Sequence, residues 1–192
     1  MNSSNTFTRR TALLSLAAGA LLPRLALAAG NLPGDSVYRL DAKLVDQDGK
    51  AFELAALQGA PVLVSMFYTS CDMVCPMIFE TVHATLRALP PADRAATKVL
   101  LVSFDPEHDT VPVLKKTYAQ RQCNAQWTLA RTDDATARKV AAVLGIQYRK
   151  LSNGEFNHSS TIELLDRQGR IVAKTGKLGA ADPALVAAAR KV

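Results

Sequence analysis

The stretch Pro61-Val62-Leu63-Val64-Ser65-Met66-Phe67-Tyr68-Thr69-Ser70-Cys71-Asp72-Met73-Val74-Cys75-Pro76 carries the most information in this chain. Its first seven residues form an apolar run with β-branched side chains, which predicts a buried strand over 61–67. A helix is expected from about Cys75, with Pro76 in the first turn, where proline is tolerated. Four residues of helix rise only about 6 Å, so the sulfur atoms of Cys71 and Cys75 can reach each other or one metal ion.

Outward from this motif, the chain alternates between predicted strands and helices. Asp46-Gln47-Asp48-Gly49 and Asp166-Arg167-Gln168-Gly169 are the turns of two predicted hairpins. Strands are predicted over 37–45, 50–54, 61–67, 98–104, 146–151, 161–165 and 170–174, and helices over 75–89, 111–120, 133–144 and 182–191. This order is thioredoxin-like. We therefore expect an α/β fold, in which a central mixed sheet is flanked by helices and preceded by an N-terminal β-hairpin.

The paired cysteines suit two kinds of chemistry. A helix N-terminus carries partial positive charge and unpaired N–H groups, so we expect a lowered pKa for Cys75, with Cys71 in the loop before it. Thiolates are also soft ligands, which favour copper(I). A third cysteine, Cys123, has polar neighbours, and we expect it to be a free thiol near a helix end.

The N-terminus resembles an export signal. Arg9 and Arg10 precede an apolar stretch, and small residues ending at Ala28 predict cleavage there, which makes residues 1–28 a signal peptide. The adjacent arginines favour the twin-arginine route over the Sec route. An uncleaved anchor is the alternative. Export predicts a soluble periplasmic protein with no stable membrane insertion after cleavage, and an oxidising compartment in which Cys71 and Cys75 tend to form a disulfide.

Cleavage would leave one domain of ordinary size. We expect a flexible lead-in over 29–36 and a single thioredoxin-like, copper-binding domain over 37–192. The formal net charge of +6 falls to +3, because residues 1–28 hold three arginines and no acid. Basic and acidic residues are interleaved, which argues against a nucleic-acid partner. We expect a monomer.

One of the three histidines, His158, precedes the predicted strand at 161–165. Alone it would read as an ordinary turn residue. In a thioredoxin-like order it lies opposite the cysteine helix, so Cys71, Cys75 and His158 form a candidate set of three copper ligands. Zinc is the alternative metal, but it normally requires a fourth ligand. A third reading is a site with no physiological metal.

Three blocks of this sequence resemble the signature blocks of the Sco/SenC proteins. They are Phe67-Tyr68-Thr69-Ser70-Cys71-Asp72-Met73-Val74-Cys75-Pro76, Val102-Ser103-Phe104-Asp105-Pro106-Glu107-His108-Asp109-Thr110 and Asn157-His158-Ser159-Ser160-Thr161. The resemblance spans about residues 35–190. It implies a thioredoxin-like fold and copper bound by Cys71, Cys75 and His158, with Asp105 supporting the site from outside the ligand set. It also implies a role in cytochrome c oxidase assembly, in which copper is delivered to the dinuclear site of an oxidase subunit or that site's cysteines are reduced.

Two functions remain open at this point. The first is a copper metallochaperone, which is not a classical enzyme and whose partner is a copper-accepting protein. The second is a thiol–disulfide oxidoreductase, in which Cys71 and Cys75 are the catalytic redox pair and a periplasmic thiol reductant restores them. A peroxidase is disfavoured because the expected proline and cysteine spacing around Thr69 is missing.

Other candidate ligands have simpler interpretations. Met73 and Met77 flank the motif, and their thioethers can bind copper(I), but we expect them to fill the core. His83 lies about 12 Å along the helix from Cys75 and is expected at the surface. His108 is expected to be a solvated histidine, and Trp127 and Phe104 to be core residues.

Overall fold

The computed structural model describes residues 32–192. The predicted signal peptide over 1–28 and the start of the lead-in lie outside these residues. The strands are β1 Lys43–Asp46, β2 Ala51–Glu53, β3 Val62–Phe67, β4 Lys98–Ser103, β5 Trp127–Arg131, β6 Tyr148–Lys150, β7 Phe156–His158, β8 Ile162–Leu165 and β9 Ile171–Thr175. The helices are α1 Val74–Ala88, α2 Pro91–Ala96, α3 Val111–Gln120, α4 Asp134–Leu144 and α5 Pro183–Ala189.

A seven-stranded mixed sheet forms the centre of the fold, in the order β2-β1-β5-β4-β3-β8-β9. Strands β3, β4 and β5 run parallel to one another, whereas β8 pairs antiparallel with β3. Every residue of β3 is buried, so both faces of the sheet are covered at its centre. The expected mixed sheet with flanking helices and an N-terminal hairpin, β1–β2, is confirmed.

The parallel arrangement brings three loops to one edge of the sheet. Phe67 at the end of β3 is in register with Ser103 at the end of β4. Strand β8 runs the other way, so its N-terminal end lies at the same edge, and the Ser65 hydroxyl donates a 2.5 Å hydrogen bond to the Thr161 carbonyl. The segments after β3, after β4 and before β8 therefore converge, as they do in ligand-binding α/β proteins.

The strand predicted over 37–45 is wrong in its first half. Residues Val37–Arg39 form a 3-10 turn, and β1 begins only at Lys43. The Ser36 hydroxyl caps the turn by accepting the Tyr38 N–H, and both Val37 and Tyr38 are buried. Tertiary burial therefore overrides the alternating pattern. Ser36 also donates to the Gln168 carbonyl at 2.5 Å, so the folded part begins before residue 37, the boundary expected from the sequence.

Several short elements were not expected from the sequence. Pro90 and Pro91 follow the end of α1, and Pro91 starts the additional helix α2, since proline suits the first helical position. Strands β5 and β7 are also additional, whereas β6 lies within the strand predicted over 146–151. Asp133 caps α4 by accepting the Thr136 N–H, Gly145 ends that helix in a left-handed conformation, and Asp182 caps α5.

Within residues 32–192, no helix combines the length and the apolar character that crossing a bilayer requires.

Candidate metal centre

The loop between β3 and α1 places both motif cysteines in the interior. The Cys71 N–H donates to the Tyr68 carbonyl at 3.4 Å, which turns the chain back before α1 begins at Val74. Cys71 is 8% exposed and Cys75 is 3% exposed. Both are free thiols in the structure. Their side chains are thus shielded from bulk water while the loop carrying them remains at the surface.

The two thiols differ in acidity. Burial raises the pKa of Cys71, but the N–H groups of Cys75, Met73 and Val74 outweigh burial, so the net pKa lies below the ordinary value. The Cys75 N–H lies 3.3 Å from the Cys71 sulfur. Burial raises the pKa of Cys75 well above its usual range. The expectation that Cys75 has the lowered pKa is therefore wrong, because the loop folds the Cys71 sulfur onto the N-terminus of α1.

His158 lies at the end of β7 and pairs with Tyr148 of β6. Its ring is held by aromatic neighbours, with centroid distances of 5.8 Å to Tyr68 and 5.1 Å to Phe104. Nδ1 lies 3.2 Å from the Ser159 carbonyl oxygen, which fits a tautomer that donates from Nδ1 and keeps a lone pair on Nε2. Burial lowers the pKa of His158, which favours the neutral imidazole that metals bind.

The structure brings the three predicted site residues together. One donor atom from each of Cys71, Cys75 and His158 lies within 4.8 Å of the other two. Ligands about 2.0–2.3 Å from a common ion are separated by up to about 4.6 Å, so this spacing is compatible with one shared metal ion. Two sulfurs and an imidazole nitrogen are donors that suit copper better than they suit hard cations. A cleft of about 330 Å³ opens onto Cys71 and His158.

Asp109 is a site-forming residue that the sequence analysis missed. Its buried carboxylate accepts hydrogen bonds from the Thr69 N–H, at 3.2 Å, and from the hydroxyls of Thr69 and Ser103. Burial raises its pKa. Asp109 therefore ties the cysteine loop to the end of β4. The Asp-Pro block contains it, but no feature of the sequence alone shows which loop it would hold.

Asp105 and His108 form a second polar group beside this loop. The Asp105 carboxylate is buried and lies 2.9 Å from His108 Nδ1, while the His108 ring is mainly in solvent. The exposed position of His108 agrees with the expectation. Asp105, Glu107 and His108 also place one ligand atom each within 4.8 Å of the others. However, Glu107 is paired with Lys150 at 2.9 Å.

The remaining candidates divide between core and surface. Trp127 and Phe104 are core residues, as expected. His83 is only half-buried, and its ring centroid lies 4.4 Å from that of Trp127. Burial raises the pKa of the Cys123 thiol to about 12. The core-filling role expected for Met73 and Met77 is wrong, because both are exposed.

Comparison with known proteins gives a family match over the part of the chain that contains the three sequence blocks. The SCO1/SenC family model matches residues 34–192. A SCO2-like protein from Rickettsia felis is 28% identical over 142 residues, covering 72% of this chain and 71% of the relative.

Solved structures extend the likeness to the fold. The copper-bound structure of ScoI from Bradyrhizobium japonicum is 30% identical, with a TM-score of 0.65, and the match covers 78% of this chain and 95% of that one. A copper-bound ScoI from Arabidopsis thaliana is 20% identical, with a TM-score of 0.70, over 79% of this chain and 97% of that one. The thioredoxin-like fold expected from the order of elements is confirmed.

Proposed function

The chain belongs to the SCO1/SenC family, and from this premise we propose that it is a copper-binding protein whose ligands are Cys71, Cys75 and His158. One observation carries the proposal: the three donor atoms lie within 4.8 Å of one another, although the histidine is more than eighty residues away in sequence. The copper bound to the Bradyrhizobium japonicum relative supports the choice of metal.

We further propose that copper is a cargo, and that the protein is a metallochaperone for a respiratory oxidase. A site of three ligands leaves room for an incoming ligand from an acceptor, so the ligands can be exchanged one at a time. The cleft beside Cys71 and His158 gives an acceptor access to the site. The acceptor is an oxidase subunit with a dinuclear copper site. The alternative use of the same contact is to keep that subunit's cysteines reduced.

The asymmetry of the thiols favours a second candidate function, thiol–disulfide exchange. The Cys71 thiolate attacks a partner disulfide, the S–S bond breaks and one partner thiolate leaves, giving a mixed disulfide. The Cys75 thiol loses its proton and attacks Cys71 in turn. The partner is released as a dithiol and the Cys71–Cys75 disulfide remains. A periplasmic thiol reductant then restores the pair.

Copper(I) competition against a chromophoric chelator tests the primary proposal. The reduced chain is compared with Cys71→Ser, Cys75→Ser and His158→Ala. Matched controls are Cys123→Ser and His108→Ala, which remove the same chemical groups outside the candidate site. We expect one-to-one binding that is lost in the three site variants and kept in both controls. The proposal fails if the reduced wild type does not hold copper against a modest competitor.

His158→Ala also separates the two functions. Removing the imidazole takes away one of three copper ligands but leaves both sulfurs for exchange. A variant that loses copper transfer and keeps disulfide reduction supports the chaperone. A variant that keeps both activities in full contradicts a role for His158 in the metal site.

We also propose that the chain is exported and acts in the periplasm as a monomer after cleavage at Ala28. The support is the paired arginines, the apolar stretch and the small residues before the cleavage site. The mass of the protein recovered from the periplasmic fraction tests this, and a product that retains residues 1–28 contradicts it.

A further inference from the structure

Two methionines near the cysteine motif, Met73 and Met77, have solvent-exposed side chains. Met73 is 78% exposed and Met77 is 38% exposed, whereas Met66 on β3 is fully buried. Met73 therefore gains little from burial and Met77 is only partly covered, although methionine is ordinarily placed in cores. Their exposure calls for an explanation other than packing.

Met73 lies at the entrance to the candidate metal centre, and Met77 lies one helical turn further along α1. Met73 is the residue before α1, within the loop that joins Cys71 to Cys75, and it lines the same cleft as Cys71 and His158. Met77 follows four residues later on α1. Residues at this spacing face the same side of a helix, with their Cβ atoms about 5–6 Å apart. Met73 is the N-cap of α1, so it lies about one turn before Met77 at the start of the helix.

The chemistry of the thioether complements that of the buried thiols. A thioether is a soft ligand for copper(I), and it carries no proton that must leave before the metal binds. The two thiols are almost fully shielded from water, whereas the Met73 thioether is not. A copper(I) ion arriving from solvent or from a donor thus meets exposed thioether sulfur before it meets buried thiol sulfur.

We propose that Met73 and Met77 form an entry site for copper(I), which holds the ion transiently and passes it to the buried ligands. This inference rests on the proposed copper-binding function and adds a second, weaker metal site to it. The thioethers determine how fast the buried site is loaded, and the buried ligands determine how tightly copper is held at equilibrium.

Methyl NMR of the full chain tests the site directly, without relying on transfer activity. The chain has four methionines, and Met66 is an internal control because it is buried. In a Cys71→Ser/Cys75→Ser variant labelled at the methionine methyl groups, copper(I) is added without oxygen. We expect the Met73 and Met77 signals to shift while the Met66 signal stays in place. The assignment comes from Met73→Leu and Met77→Leu in the same background.

The outcome of this experiment is independent of whether the proposed function is correct. If neither exposed methionine signal moves, or if all signals move together, the entry site is overturned, while binding by Cys71, Cys75 and His158 is untouched. If the wild type fails the copper competition described above, the proposed function falls, but the methyl shifts remain a separate result.

Loading kinetics test the role of the site. Leucine retains the apolar surface of methionine and removes the sulfur, so Met73→Leu/Met77→Leu separates a metal contact from an apolar contact with a partner. We expect copper(I) transfer from a chelator to slow about tenfold, at the lower end of what groups around a metal site contribute. The equilibrium affinity should stay at the wild-type value. Loading at the wild-type rate in the double variant overturns the proposal.

Discussion

The Cys75 amide donates a hydrogen bond to the Cys71 sulfur across 3.3 Å, so the second cysteine of the motif stabilises the thiolate of the first. Cys75 itself has no comparable advantage, because burial dominates its pKa. The motif therefore contains one thiol with a lowered pKa, Cys71, and one with a raised pKa, Cys75, although both lie at the start of the same helix.

Selective alkylation should reveal this difference. Reactivity follows the thiolate fraction, so in the reduced chain near pH 7.5 we expect Cys71 to react about tenfold faster than Cys75 or Cys123, or more. Cys123 is the more exposed residue, yet burial still raises its pKa to about 12. Peptide mass spectrometry over a time course provides the measurement. A faster reaction at Cys123 would show that exposure, not acidity, controls reactivity.

Removing the Asp109 carboxylate should loosen the cysteine loop. Asp109→Ala leaves the Thr69 N–H and the Ser103 hydroxyl without their acceptor in a buried place. We expect a loss of about 2–4 kcal/mol in the free energy of unfolding, measured in urea. Copper(I) affinity should fall about 10–100-fold, since residues that orient ligands contribute on this scale. Asp41→Asn, at an exposed site, is the control, and equal effects in both variants would contradict a role for Asp109.

Glu163 predicts a dependence of stability on pH. Its side chain is buried on β8, with Oε1 accepting the Thr161 hydroxyl at 2.6 Å, and burial raises its pKa to about 7. Between about pH 4.5 and 7 the folded state holds a proton that the unfolded chain has lost, so stability should fall as the pH rises through this window. The fall amounts to at most about 3 kcal/mol.

Substitution isolates this contribution. In Glu163→Gln the side chain cannot ionise, so that part of the pH dependence should disappear and the variant should be the more stable protein at pH 8. Glu53→Gln, at an exposed position on β2, should follow the wild type. Urea unfolding at pH 5 and pH 8 provides the comparison. If the free energy of unfolding changes equally with pH in the wild type and in Glu163→Gln, the prediction is contradicted.

Gly169 combines a left-handed backbone with a close approach. Its φ is +81°, and a Cβ at this position would lie 2.4 Å from Tyr38 Cδ2 and 2.8 Å from the Ser36 hydroxyl. Gly169→Ala should therefore cost about 1–2 kcal/mol for the backbone and about 1–3 kcal/mol more for overpacking. Gly145 has φ +70° with open space around it, so Gly145→Ala should show the backbone part alone. If urea unfolding shows equal losses of unfolding free energy in the two variants, the Tyr38 side chain moves aside at no cost.

Sequence periodicity predicted the parts of the fold that are long or strongly apolar. Strand β3 and helix α3 match their expected ranges closely, because burial on both faces and a proline-led first turn leave clear patterns. Some short strands were not predicted, since three polar or mixed residues such as Phe156–His158 show no period. These elements form only when a partner strand is present.

The candidate ligands were predictable because their chemistry is rare in the chain, whereas the groups that position them were not. Cys71 and Cys75 stand out by their spacing, and His158 stands out by its position before the predicted strand at 161–165. The contact between Thr69 and Asp109 joins residues forty positions apart and depends on how two loops meet at the sheet edge. The reversed acidity of the cysteines has the same origin, because it depends on the direction in which the loop folds back.

The strand that carries His158 belongs to a separate two-stranded sheet, and its pairing with Tyr148 is at the base of that hairpin. The hairpin's tip, residues 151–155, lies at the opposite end. Among the described residues, neither β6 nor β7 pairs with the seven-stranded sheet. Evolution can therefore lengthen the chain at this tip without shifting the register of the main sheet or displacing the imidazole, which makes it the natural point for diversification around an unchanged site.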